Sequence, residues 1–174
     1  MKTKDLALIA VMAVIITVCS WISIPMTIPF TMQTFAVFVT LLIIGGRRGV
    51  AAIALYILLG MVGVPVFSGF QGGISHIIGP TGGYIVGFIF MGVIYMLGEK
   101  RFGQVGKIIL LVVGLFVCYL VGTLWFVAIG GSDKSFWAVA IICVLPYILP
   151  DLAKLALAIF ISRVISKTHI TDTF

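Results

Sequence analysis

The chain has 174 residues, of which 62% are hydrophobic and only 9% charged, with a formal net charge of +6 and a mean hydropathy of +1.32. A soluble domain of this length needs far more polar surface, so the composition points to an integral membrane protein. Its apolar stretches are continuous rather than alternating, which favours helices over a β-barrel, and its basic residues fall where membrane topology would put them rather than in a patch for nucleic acid.

In chain order, six hydrophobic segments are expected as transmembrane helices, at about 5–24, 33–45, 48–63, 81–98, 106–129 and 137–166, within a single membrane domain spanning 1–174. The first follows Lys2 and Lys4, but no Ala-x-Ala-like cleavage site comes after it. It reads as a retained helix rather than a signal peptide. Its Ala7, Ala10 and Ala13 read as a small-residue stripe facing one direction, suited to close contact with another membrane subunit, although alanine is also an ordinary helix former. The second and third segments are roughly 13 and 16 residues long, against the ~20 needed to cross a bilayer perpendicularly. They meet at a tight turn, Gly45-Gly46-Arg47-Arg48-Gly49.

The fourth segment opens with 79-GPTGGYIVG-87. Gly79, Gly83 and Gly87 share a helix face, which allows close approach of another helix or of a ligand. Thr81 is a candidate cap, Pro80 helps set the helix start, and Tyr84 projects a hydroxyl from the first turn. The sixth segment is broken near Pro146 and Pro150, where a helix restarts. Cys19, Cys118 and Cys143 stand isolated in apolar contexts and read as packed free thiols, with neither a zinc site nor a disulfide scaffold indicated.

With the N-terminus inside, the inner side carries Lys2, Lys4, Arg47, Arg48, Lys100, Arg101, Lys107, Arg163 and Lys167, and the outer side only Lys134. This positive-inside bias predicts both termini in the cytoplasm. The outer loops are then 24–32, 64–80 and 130–136. The first two are uncharged and suited to folding over a cavity as lids, or to filling space between helices. Phe30, Phe67, Phe70, Tyr84, Trp137 and Tyr147 all fall near this outer face, as an interfacial belt or as pocket wall.

No Gly-x-x-x-x-Gly-Lys-[Ser/Thr] loop, His-Glu-x-x-His pair or intramembrane acid dyad is present, so ATP binding by a P-loop and catalysis are not expected. One acid at membrane depth is a thin proton relay, which ranks a stand-alone secondary carrier or exporter below a binding subunit. That acid is Asp151, with Lys154 three residues on, inside 143-CVLPYILPDLAKLALAIF-160. On a helix the two share a face. They lie about 15 residues, or ~22 Å, from the inner end, which puts them in the outer half of the membrane. Each charge costs about 2.5–3.5 kcal/mol at a helix centre. A ligand site is the favoured explanation, and a helix–helix clamp the plainer one. The first turn after Pro150 also favours a carboxylate through the helix dipole.

Four pieces, 29-PFTMQTFAV-37, 46-GRRGVAAIALYILLGMVGVPVF-67, 79-GPTGGYIVGF-88 and 145-LPYILPDLAKLALA-158, together resemble the BioY family of biotin-specific S components of energy-coupling-factor transporters. The resemblance implies an all-α six-helix S-component fold in a prokaryotic cell membrane. It also implies biotin captured from outside, and partnership with a membrane-embedded coupling subunit and two cytoplasmic ATPases that alone bind ATP. By the same resemblance Asp151 accepts from a ureido N–H of biotin and Lys154 donates to biotin's polar groups. Tyr84, Gln71, Gly73, Thr81, Phe30 and Gln33 complete the implied substrate set. No metal or cofactor is implied. On the first helix such subunits often carry Ala-x-x-x-Ala where this chain has Ala-x-x-Ala-x-x-Ala, which leaves the register of that contact open.

Overall fold

A computed structural model describes residues 3–26, 28–129 and 136–167. The expectations for Lys2 and Lys134, and most of the expected loop 130–136, lie outside the described residues. The described chain is mostly helical: α1 (Thr3–Trp21), a small hairpin of β1 (Ser23–Ile24) and β2 (Phe30–Thr31), α2 (Gln33–Met61), a 3-10 turn at Ser68–Phe70, α3 (Ile74–Ile78), α4 (Gly82–Gly98), α5 (Gln104–Ile129), α6 (Phe136–Cys143) and α7 (Leu145–Lys167). By length and composition α1, α2 and α5 are apolar enough to cross a membrane, and α6 with α7, bent by 43°, makes a fourth candidate.

The 29 residues of α2 do not run straight. Gly45 has φ 78° and ψ 168°, a conformation open to glycine and closed to most other residues. A Cβ on Gly49 would sit 3.5 Å from Leu41 Cα, whereas a straight helix separates these residues by about 12 Å along its axis. Likewise Gln33 Nε2 donates to Tyr56 Oη at 3.1 Å, against about 34 Å in a straight helix. The two arms, 33–44 and 46–61, therefore lie antiparallel, and the expected break between two short helices falls at Gly45. Glu99 Oε2 accepts the Gly46 N–H at 2.7 Å, satisfying one of the open amides at the start of the second arm. Arg48 pairs with Asp5 at 2.7 Å, fixing the tip of this hairpin to the start of α1.

Packing follows from which faces lack side-chain bulk. On α1 the buried residues Ile9, Met12, Ala13, Ile16, Thr17 and Ser20 recur every three or four positions and face α2. Between α4 and α5 the approach is set by glycine: a Cβ on Gly83 would meet Trp125, one on Gly87 would meet Cys118, and one on Gly122 would meet the Tyr84 ring. The glycine face read from the sequence is thus a packing face for Gly83 and Gly87. Gly79 instead ends α3, and its carbonyl accepts Trp125 Nε1–H at 3.1 Å. The outward faces of α1, α5 and α7 carry exposed apolar residues such as Val14, Phe116 and Phe160, as helices facing lipid would.

The last segment breaks beside Pro146, as expected, and not at Pro150. The chain bends at Val144, Pro146 falls in the first turn of α7, where a missing N–H costs nothing, and Pro150 lies inside the helix. Asp151 is therefore beyond the first turn of α7, and the helix-dipole account of its charge does not hold.

Candidate ligand-binding site

At the end of the bundle away from Gly45, residues from α2, α4, α5, α6 and α7 enclose a cavity of about 720 Å³, its mouth included. The hairpin loop contributes Ile28, Pro29 and Thr31 to its wall, and the segment between α2 and α4 contributes Phe67, Ser68, His76 and Thr81. Both uncharged loops thus fold over the cavity. They are held there by backbone acceptors: Tyr147 donates to the Ile28 carbonyl, Ser20 to the Val66 carbonyl, and Trp21 Nε1 to the Pro65 carbonyl at 2.9 Å.

Asp151 and Lys154 line this cavity and are only 3% and 6% exposed. One turn of helix places them side by side, and Lys154 Nζ lies 2.7 Å from Asp151 Oδ1. Tyr119, one face of α5 away, donates to Asp151 Oδ2 at 2.6 Å. Lys154 Nζ also donates to the Thr31 carbonyl at 2.7 Å and stands 4.0 Å above the centre of the Phe30 ring. An ammonium has three hydrogens, and here each has an acceptor or a π face. A carboxylate has about four lone-pair positions, and two protein donors leave Asp151 with acceptor capacity. The pair is electrically neutral as a unit, which lowers its cost at membrane depth.

Around this pair the cavity is ringed by hydroxyls and one amide on an apolar wall. Gln33 and Tyr56 meet across the two arms of α2, and Tyr84 Oη lies 3.2 Å from Thr123 Oγ1. Ile85, Phe88 and Leu115 supply the apolar wall. His76 stacks on Phe67 with ring centres 5.1 Å apart. Its partial burial, in the segment between α2 and α4, holds it below the ordinary histidine value of 6.5.

Of the residues expected in the site, Asp151, Lys154, Gln33, Tyr84 and Thr81 come together in this cavity. Thr81 stands at the N-cap of α4, but its side chain makes no cap bond. Its carbonyl instead accepts the Tyr84 N–H. Phe30 lies behind Lys154 rather than on the wall. Gln71 and Gly73 are not brought to the cavity. Gln71 is exposed, with its backbone paired to Phe67. Gly73 is at φ 102° before α3, where its N–H reaches the Gly60 carbonyl at 2.7 Å. The alanine stripe also divides. Ala7 and Ala10 are exposed, whereas Ala13 is 1% exposed and packs in the core. At 100° per residue, positions six apart lie about 120° from each other, so a spacing of three cannot keep one face over two turns.

Tyr119, Tyr56 and His76 were not anticipated. The available signal was the tyrosine hydroxyl in mid-helix: buried, it must find a partner, and the one acid at membrane depth is the natural acceptor.

A family model described as "BioY family" matches residues 1–170. A protein of Pyrococcus horikoshii named "Probable biotin transporter BioY" is 40% identical over 164 residues, covering 94% of this chain and 96% of that protein. The "Biotin transporter BioY" of Thermotoga maritima is 34% identical over 169 residues, covering 96% and 98%. In three dimensions the chain matches a crystal structure of the S-component for biotin from an ECF-type ABC transporter. The TM-score is 0.85 at 24% identity, over 96% of this chain and 95% of that one, so the two share a fold.

Proposed function

The chain belongs to the BioY family, and from that premise we propose that it is the biotin-binding subunit of an energy-coupling-factor importer, holding biotin in the cavity beside Asp151. One observation carries the assignment of the site: a buried carboxylate with acceptor capacity left over, beside a lysine whose hydrogens are all engaged. Biotin's ureido ring offers two N–H donors and one carbonyl next to an apolar thiophane ring. In this reading Asp151 accepts a ureido N–H, Lys154 and Tyr119 hold its carboxylate in place, and the hydroxyls of Tyr84 and Tyr56 with the Gln33 amide serve the remaining polar groups. The wall of Ile85, Phe88 and Leu115 takes the ring system. Gln71 and Gly73 have no direct part, and their segment acts only as cover.

The arms of α2 then count as two spans and α6 with α7 as one, giving six spans with cytoplasmic termini in the plasma membrane of a prokaryote. The basic residues at the Gly45 end support that orientation. Lacking a P-loop, the chain relies on a coupling subunit and two ATPases for energy, and the exposed Ala7–Ala10 face of α1 is the proposed contact with the coupling subunit. Titration of the purified protein with biotin should give one-to-one binding at about nanomolar Kd, near −12 kcal/mol. A folded protein that does not bind biotin refutes the proposal.

A further inference from the structure

A second cavity of about 500 Å³, mouth included, lies at the opposite end of the bundle, where α2, α4, α5 and α7 converge below the Gly45 turn. Its walls carry Lys107 from the first turn of α5 and Arg163 from the last turns of α7, with Gln104 and Tyr95 between them. Neither cation forms an ion pair among the described residues. Glu99, one turn beyond Tyr95, does not line the cavity and is engaged with the Gly46 amide. Tyr95 is 2% exposed, yet its hydroxyl has no hydrogen-bond partner among the described residues. A buried hydroxyl is normally paired. Two unpaired cations and an orphaned hydroxyl on one concave wall describe the donor set for an oxyanion.

The surroundings select the source of that anion. Apolar and polar residues share the lining, with Leu42, Ile108 and Ile159 beside Ser162 and Ser166, while Val105, Ile109, Phe160 and Val164 are exposed on the same stretches of α5 and α7. In the orientation proposed above this is the inner-leaflet headgroup level, where a basic pocket between helices meets anionic lipid. We propose that the cavity binds the phosphate of one anionic phospholipid, with Lys107, Arg163 and Tyr95 donating to its oxygens and the acyl chains lying along α5 and α7. The site is distinct from the Asp151 cavity.

The test uses the full-length protein in nanodiscs of equal phosphatidylcholine and phosphatidylglycerol, with retained lipid read by native mass spectrometry. One phosphatidylglycerol should survive release from the disc, and Lys107→Gln with Arg163→Gln should lower its retention about tenfold. Tyr95→Phe should lower it less. Biotin affinity should stay unchanged in both variants, which reports that they fold. Independently of any variant, added salt should weaken retention by the wild-type protein. Equal retention of the two lipids, or retention by the double variant, overturns the proposal. Displacement of the lipid by millimolar inorganic phosphate shows a free-phosphate site and overturns the lipid assignment.

Discussion

Lys154 and Asp151 are coupled tightly enough that single replacements of each have different outcomes. Asp151→Asn removes a charged acceptor while keeping its shape, and a charge-assisted hydrogen bond contributes about 1.5–3 kcal/mol. Biotin affinity measured by calorimetry should fall roughly 10- to 100-fold. Lys154→Met instead strands a buried carboxylate, which destabilises a fold by about 3–5 kcal/mol, so its main effect should appear in thermal unfolding. The double variant with Asn at 151 and Met at 154 should regain much of that stability without regaining affinity. If it regained both, the pair would be structural. His76 supplies a pH signature. Its neutral form is favoured in the folded protein, so the native state gains nothing extra above the ordinary value of 6.5 but loses stability as the pH falls below it and the unfolded chain takes up the proton first. Thermal stability should be flat from about pH 7 to 8 and fall towards pH 5, and His76→Gln should make that fall shallower.

Helices and their junctions were legible to different degrees, for reasons visible in particular residues. The fold-back at Gly45 could be read because a glycine pair interrupts an apolar run too short on either side to cross alone. The bend before α7 was legible at Pro146, which stands in the first turn of α7 where its missing N–H costs nothing, but not at Pro150, which is carried inside the helix. The acid and lysine of the site were legible as charges at membrane depth. Tyr119 was legible only as a mid-helix hydroxyl in need of a partner, because which tyrosine meets Asp151 depends on α5 lying opposite α7. The same junctions yield a stability prediction. A Cβ on Gly46 would sit 2.4 Å from Met96 Cα, a backbone atom that cannot move aside. Gly46→Ala should therefore lower the unfolding temperature in detergent, with an overpacking cost of about 1–3 kcal/mol. Gly103→Ala, with nothing within 4 Å of its added methyl, should leave it unchanged.

At the scale of the molecule, the two ends of the bundle carry opposite chemistry. One end is a neutral, loop-covered cavity, and the other collects Lys107 and Arg163, which form no ion pair among the described residues. If the proposed orientation holds, a cysteine placed at exposed Phe70 should react with an impermeant maleimide from outside intact cells. One placed at exposed Gly103 should react only after permeabilisation. Reversed labelling would invert the topology. The bond from Lys154 Nζ to the Thr31 carbonyl has a consequence in time as well as in space. The side chain that orders the site is also tied to the loop that covers it, and Tyr147 ties the same loop at Ile28. A ligand entering from that side must wait for these ties to open, and once inside must wait for them again. Association measured by stopped flow should therefore be slower than the ~10⁵–10⁷ M⁻¹s⁻¹ of an ungated encounter. Dissociation should be slowed in proportion, so that residence on the subunit outlasts the search for its energised partner.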